Sequence, residues 1–164
     1  MLELILIITA LLVSLVAGFL FAFAVVVMPG VGKMDDLRFV ETFRAIDRVI
    51  QNNSPLFLLV WAGSGVGSIA SAVVGLLYLQ GVALAFTLTG CAVFIALVHV
   101  PTVAVNVPLN NRLQALDPEK LSVEELKEAR NAFEKPWLFW NTVRTVASVL
   151  ALAMLLACLT TIGR

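Results

Sequence analysis

The sequence predicts an all-α integral membrane protein: a bundle of four transmembrane helices with an amphipathic helix in the first long loop and a short soluble helix in the second. Three observations carry this. Of the 164 residues, 60% are apolar and only 13% charged, a balance outside the range of soluble domains. The apolar residues gather in blocks long enough to cross a hydrocarbon core about 30 Å thick, which takes about 20 helical residues. Lipid offers backbone groups no hydrogen-bond partners, so those blocks must be helical. The chain reads as a single transmembrane domain over residues 1–164.

The first span runs from about Leu2 to Met28 and is expected to stop at Pro29-Gly30. It imitates a signal peptide at Ala22-Phe23-Ala24, but Glu3 replaces a basic n-region and the apolar stretch is too long for an h-region. The second span opens at Asn53-Ser54-Pro55, a cap followed by a first-turn proline, and runs to about Leu79. Gln80-Gly81 leaves room only for a tight connection, so the third span, about Val82 to Val107, is its antiparallel neighbour. The fourth opens at Pro136-Trp137 and continues to about Thr161. In the first long loop, Leu37, Val40, Phe43, Ile46 and Ile50 recur at helical spacing among charges, which predicts an amphipathic helix. In the second, Ser122 and Glu125 stand in capping-box register and predict a short helix over Pro118 to Phe133.

Eleven Lys and Arg balance eleven Asp and Glu, and no basic run resembles a nucleic-acid footprint, so nucleic acid is excluded as a partner. Lys33, Arg38, Arg44 and Arg48 lie in the first loop; Arg112, Lys120, Lys127, Arg130 and Lys135 lie in the second. With four spans these loops share one side, and only Arg164 belongs to the other. The excess of positive charge predicts cytoplasmic loops, termini outside and a multi-pass place in a bacterial inner membrane. Cys91 and Cys158 fall within spans and read as small, buried, reduced residues. Ser14, Ala17, Gly18, Gly63, Ser64, Gly67, Ser68, Ser71 and Gly75 make the first two spans rich in small residues, either for close helix packing or as room for a ligand.

Polar side chains inside a span are costly, which makes their positions informative. The third span carries His99, Thr102, Asn106 and, past Pro108, Asn110; the intervals of three and four place them on one face of an α-helix. The fourth carries Trp137, Trp140, Asn141, Arg144 and Ser148 at the same intervals. At about 1.5 Å per residue, His99 lies about 13 Å deep and Arg144 about 12 Å. Antiparallel packing then sets Asn106 near Trp137 and Trp140, Thr102 near Asn141, and His99 near Arg144. Gly18, Gly63 and Ser64 reach a similar depth, so a cavity there is expected to face small residues. No acidic residue lies in the cytoplasmic half of any span. Arg144 is therefore reached by a loop carboxylate such as Asp47 or Glu134, snorkels to headgroups, or awaits an anionic ligand. His99, the only histidine, reads either as a proton acceptor or as one end of an interhelical hydrogen bond. Trp137 and Trp140 read as interface residues or as a stacking wall for a flat ligand. One histidine cannot build a multi-histidine metal site, and no nucleotide loop or acidic metal cluster is present in the sequence.

These residues are those by which the sequence resembles the DUF1772, or anthrone oxygenase-like, family of small four-span membrane proteins. The matching features are Gly18 with Met28-Pro29, the stretch DRVIQN from Asp47 to Asn52, VNVPLNNRL from Val105 to Leu113, and WLFWNTVR from Trp137 to Arg144. The resemblance implies oxidation of a lipophilic phenolic or polycyclic substrate by dioxygen, with neither metal nor flavin as cofactor. On that basis His99 is the expected base. Arg144, Asn106 and Asn141 are expected to hold an enolate oxygen, the tryptophans to flank the rings with Thr102 and Asn110, and Gln51 and Asn52 to close the mouth. The alternative is a non-catalytic membrane module that holds a lipid, a quinone or another hydrophobic molecule, or serves in a larger assembly. Expected partners are membrane lipid and a hydrophobic or aromatic small molecule, with a homo-oligomer left open.

Overall fold

The computed structural model describes residues 1–52 and 54–162. Among them the chain forms five helices: α1 (Leu2–Val31), α2 (Asp36–Gln51), α3 (Pro55–Tyr78), α4 (Gly81–Gln114) and α5 (Val123–Ile162). A 3₁₀ turn at Pro118–Lys120 lies between α4 and α5. All but α2 are long and apolar enough to cross a membrane, and the chain is a multi-pass membrane protein. Ser54 caps α3 by accepting from the Phe57 N–H at 3.4 Å; Asn53 and Arg164 lie outside the described residues.

The four spans pack in a ring, α1 against α3 and α5, and α4 against α3 and α5. Only Leu79 and Gln80 separate α3 from α4. The chain turns there because Gly81 takes a φ of +56°, which a Cβ would strain. Leu6, Val13, Phe94, Ala151 and Leu155 fill the core of the ring. The small residues of α3 serve as seams for close approach: a Cβ on Gly67 would sit 2.7 Å from Thr9 Oγ1, and the Ser71 hydroxyl donates to that same oxygen at 3.0 Å. Gly75 makes the equivalent contact with Thr87 of α4.

α2 lies across one end of the ring, and the amphipathic pattern accounts for it. Phe39, Val40 and Phe43 are buried, against Phe133 and Trp137 of α5. Asp35 caps this helix by accepting from the Arg38 N–H at 3.0 Å. Arg130 of α5 then ties the link between α1 and α2 in place. Its guanidinium donates to the carbonyls of Gly32 and Met34, pairs with Asp36 and Glu134, and lies 4.4 Å over the Phe39 ring. Both long loops therefore meet at the same end of the bundle.

Three expected boundaries are corrected. The separate soluble helix of the second loop does not exist: the capping box of Ser122 and Glu125 forms, with N···O distances of 2.8 and 3.3 Å, but it opens the fourth span itself. Pro136 sits inside that 40-residue helix, about 60 Å long. An interior proline costs roughly 3 kcal/mol. The helix survives because Phe133 and Trp137, one turn apart across the proline, are both buried against Phe43, at 4.5 and 5.4 Å between ring centroids. Pro29 does not end α1, and Pro108 does not end α4.

The prolines of α1 and α4 instead widen the helix. Each follows a π turn by two residues: Phe23–Val27 before Pro29, Ile95–His99 before Pro101, and Thr102–Asn106 before Pro108. A proline ring clashes with the carbonyl four residues earlier, and Val25, Leu97 and Ala104 are the middle residues of the three turns. Widening relieves the clash, and the bond closing each turn spans five residues, as from the Met28 N–H to the Phe23 carbonyl.

The α1–α3 seam yields a test. Gly67→Val is expected to lower the thermal midpoint of the detergent-solubilised protein by an amount equivalent to about 1–3 kcal/mol. Gly18→Ala, whose Cβ meets nothing within 4 Å, is expected to leave it unchanged or raise it.

Candidate functional site

Between the ring of spans and α2 lies a cavity of about 390 Å³, within the roughly 300–1,000 Å³ typical of small-molecule sites. Its polar wall comes from two helices. The π turn of α4 supplies Thr102 and Asn106, with Asn110 one turn on; α5 supplies Trp137, Asn141 and Arg144. The opposite wall is aromatic: Phe19 and Phe23 of α1, Phe57 and Trp61 of α3. The small residues expected there do not line it. Ser64 faces His99, and Gly63 packs against Leu12. α2 closes the end with Phe43, Asp47 and Gln51.

Arg144 is 5% exposed. It donates to Thr102 Oγ1 at 3.0 Å, to Asn141 Oδ1 at 3.2 Å and to the Trp140 carbonyl at 3.4 Å. All three acceptors are neutral, and among the described residues no carboxylate lies within 4 Å of it. Asp47 and Glu134, the loop carboxylates considered for it, are engaged elsewhere. The Asn141 amide donates to the Leu20 carbonyl at 3.2 Å, so its oxygen must face the guanidinium. Thr102 donates to the Val98 carbonyl at 2.7 Å and can only accept from Arg144. The fork is thus held on one side and meets the cavity on the other.

Among the described residues, two buried polar atoms of cavity-lining side chains lack partners. Asn106, 2% exposed, sends its Nδ2 to the Trp137 carbonyl at a long 3.5 Å and leaves Oδ1 unpaired; the Trp61 indole N–H is likewise unpaired. Both residues line the cavity. Unpaired buried groups are rare in folded proteins and cost about 1–3 kcal/mol each.

At the other end of the cavity, Asp47 is 3% exposed. Its Oδ1 accepts from Asn110 at 2.8 Å, and its Oδ2 from Gln51 at 2.7 Å and Gln114 at 2.9 Å. Burial pushes its pKa above the ordinary carboxylate value, opposed by hydrogen bonds from Gln114, Asn110 and Gln51 in that order. Asn110 in turn accepts from the Trp137 indole at 2.9 Å. Since the indole only donates and the carboxylate only accepts, this amide has one possible orientation.

His99 does not meet Arg144. It sits behind Trp61, with ring centroids 4.7 Å apart, and its Nε2 lies 3.3 Å from Ser64 Oγ. That hydroxyl already donates to the Trp61 carbonyl at 2.7 Å, so the histidine is the donor of the pair. The wide turn at Thr102–Asn106 explains the displacement: each of its residues advances less around the axis than in an α-helix, so His99, before the turn, is rotated away from Asn106 and Asn110, after it. Thr102, Asn106 and Asn110 stay aligned, and His99 rotates toward α3. Trp140 gives the site its carbonyl while its ring stacks edge-on with Phe139, 5.5 Å away. Gln51 stands at the mouth, bonded to Asn111 at 3.1 Å; Asn52 is exposed and does not line the cavity.

Sequence reasoning missed Trp61, the phenylalanines of the opposite wall, and the cavity-facing place of Asp47. One signal for Asp47 was present: it falls on the apolar stripe of α2, one turn after Phe43 and just before Ile50, where an unpaired carboxylate is out of place. A second, mostly apolar space of about 380 Å³ adjoins the first and shares Phe19, Phe57, Trp61, Thr102 and Arg144 with it. Its outer residues Leu15 and Leu56 are exposed on the apolar surface of the bundle. Among the described residues no group of three His, Cys, Asp or Glu could share a metal ion.

These features define a multi-pass helical membrane protein with an aromatic-walled cavity between its spans and a carboxylate-free guanidinium at its inner end. Residues 51–154 match the family model described as anthrone oxygenase, and the chain belongs to that family. The match holds α3, α4 and most of α5, hence Trp61, Thr102, Asn106, Asn110, Asn141 and Arg144. No curated protein and no solved structure matches the chain.

The unpaired Asn106 oxygen makes a prediction that separates binding from folding. Asn106→Leu is expected to leave thermal stability unchanged or raise it, because an orphaned polar group is removed. Fluorescence titration of the same variant with a hydroxylated anthraquinone is expected to show affinity about 5- to 10-fold weaker, the loss of roughly one hydrogen bond of 1–1.5 kcal/mol.

Proposed function

We propose that the protein is a membrane-embedded oxygenase that oxidises a lipophilic phenolic or polycyclic aryl ketone with dioxygen inside this cavity. The observation that carries the reading is Arg144: a buried guanidinium, held by neutral acceptors, lining an aromatic-walled space in a member of the anthrone oxygenase family.

The chemistry asks little of a protein. In an anthrone the methylene lies across the central ring from the carbonyl and is acidified by it. Loss of one methylene proton leaves an electron pair that delocalises onto the carbonyl oxygen, giving an enolate rich enough to reduce dioxygen. A bond forms between the former methylene carbon and oxygen; loss of the second proton with cleavage of the O–O bond then releases water. The methylene becomes a carbonyl, one oxygen atom enters the product and the other leaves as water. A donor that strengthens its hold as charge builds on the ketone oxygen lowers the first barrier, and Arg144 is such a donor. Phe19, Phe23, Phe57 and Trp137 supply flat walls. The adjoining space gives a lipophilic substrate, and dioxygen, a way in from the hydrocarbon between α1 and α3.

Orientation belongs to the same reading. Lys33, Arg38, Arg44, Arg48, Arg112, Lys120, Lys127, Arg130 and Lys135 belong to the end that α2 covers, which by the positive-inside rule is the cytoplasmic end.

Purified protein in lipid nanodiscs, stripped of metal and flavin, is expected to consume oxygen when given an anthrone and to form the quinone. Arg144→Ala is expected to lower kcat by about 10²–10³, the usual cost of losing one oxyanion donor, whereas His99→Ala, behind Trp61, is expected to cost less than about tenfold. Uptake unaffected by Arg144→Ala would remove the reading. Phospholipid bound at Arg144 with no oxygen uptake would instead favour a non-catalytic lipid-binding module.

A further inference from the structure

Abstraction of the methylene proton requires a base that touches the substrate, and His99 does not line the cavity. Of the described groups that do, Asp47 alone is a carboxylate. It is buried with three neutral amide donors and, among the described residues, no cation within 4 Å. Its hydrogen bonds are unevenly shared: Oδ2 takes two and Oδ1 only one, which leaves a lone pair on Oδ1 for a further partner. A carboxylate kept only to join α2 to α4 would be an expensive choice, because a buried charge without a counter-ion costs more than a neutral amide making similar bonds.

We propose that Asp47 is the general base of this cavity, taking the methylene proton onto its carboxylate while the electron pair moves to the ketone oxygen at Arg144. The inference rests on the oxygenase reading above. Its geometry suits the substrate class. The Arg144 guanidinium lies 5.9 Å from the centre of the Trp137 ring, and Trp137 is joined through Asn110 to Asp47. The Trp137 ring and the Asn110 amide thus lie between oxyanion donor and base, which both line the space, as the central ring of an anthrone lies between its carbonyl oxygen and its methylene. Burial raises the pKa of the carboxyl from its ordinary value, against the hydrogen bonds of Gln114, Asn110 and Gln51, which strengthens it as a base. The proton taken is returned to the peroxide oxygen when dioxygen is present, and exchanges with water when it is absent.

The test uses full-length protein in nanodiscs and an anthrone deuterated at its methylene, without oxygen, so that proton transfer is read alone as washout of the label. Wild type is expected to accelerate washout over buffer. Asp47→Asn is expected to slow it by at least about 100-fold while binding the corresponding anthraquinone within threefold of wild type, and formate is expected to restore washout to Asp47→Ala. Washout unchanged in Asp47→Asn, with oxygen uptake still dependent on Arg144, overturns the assignment and leaves the oxygenase reading standing. Loss of washout and of anthraquinone binding together, with no rescue by formate, assigns Asp47 a structural role and also overturns it. A wild type that neither exchanges the label nor consumes oxygen removes both.

Discussion

A guanidinium near the centre of a membrane helix costs about 2.5–3.5 kcal/mol on insertion scales, and Arg144 bears that cost without a carboxylate. What it has instead is an ordered set of dipoles: a threonine hydroxyl, an asparagine oxygen and a helix carbonyl. Each of these is itself fixed by a second bond, Thr102 to the Val98 carbonyl and Asn141 to the Leu20 carbonyl. Three spans are thereby committed to one side chain. The arrangement neutralises less charge than an ion pair would, and it leaves the guanidinium with attraction to spare for an anionic oxygen arriving in the cavity. Asp47 lines the same cavity, yet the two charges are not paired.

Prolines shape the wall on which those dipoles stand. In water-soluble helices an interior proline mostly breaks or bends the chain; here each proline of α1 and α4 follows a widened turn centred on the carbonyl it would strike. The consequence is positional. Thr102 and Asn106 belong to one such turn and Phe23 to another, so the cavity is lined where the helices are widest. The turn at Thr102–Asn106 rotates the histidine away from the polar seam and onto Ser64, where it backs the Trp61 indole. A histidine so placed backs an aromatic wall and does not line the cavity.

Helix α2 converts an open bundle into a closed site. Its aromatic stripe is held against Phe133 and Trp137, and the link before it is clamped by Arg130 through two carbonyls, two carboxylates and the face of Phe39. The extension of α5 far beyond the hydrocarbon supplies the surface on which α2 rests, which explains why that helix runs unbroken through Pro136. Asp47 enters the cavity on this lid, so the lid brings a charge as well as a cover.

The four spans, the amphipathic helix, the capping box at Ser122 and the partnership of α3 with α4 were all legible in the sequence, because each follows from local rules: apolar block length, 3.6-residue spacing, a capping register and a two-residue connection. Asn106, Asn141, Thr102 and Arg144 were legible for the same reason, since a polar residue in a span stands out against lipid. Tertiary structure decided the rest. Whether Pro29, Pro108 and Pro136 end a helix, widen it or ride within it depends on what packs across them, as Phe133 and Trp137 do at Pro136. The π turns broke the α-helical spacing that had aligned His99 with Arg144, and a periodicity argument holds only while the period does. The aromatic wall and the inward face of Asp47 come from contacts between residues far apart in the chain. Spacing along one helix cannot register them, because it is the crossing of α2 over the ring of spans that turns a residue on an apolar stripe into the carboxylate of a cavity.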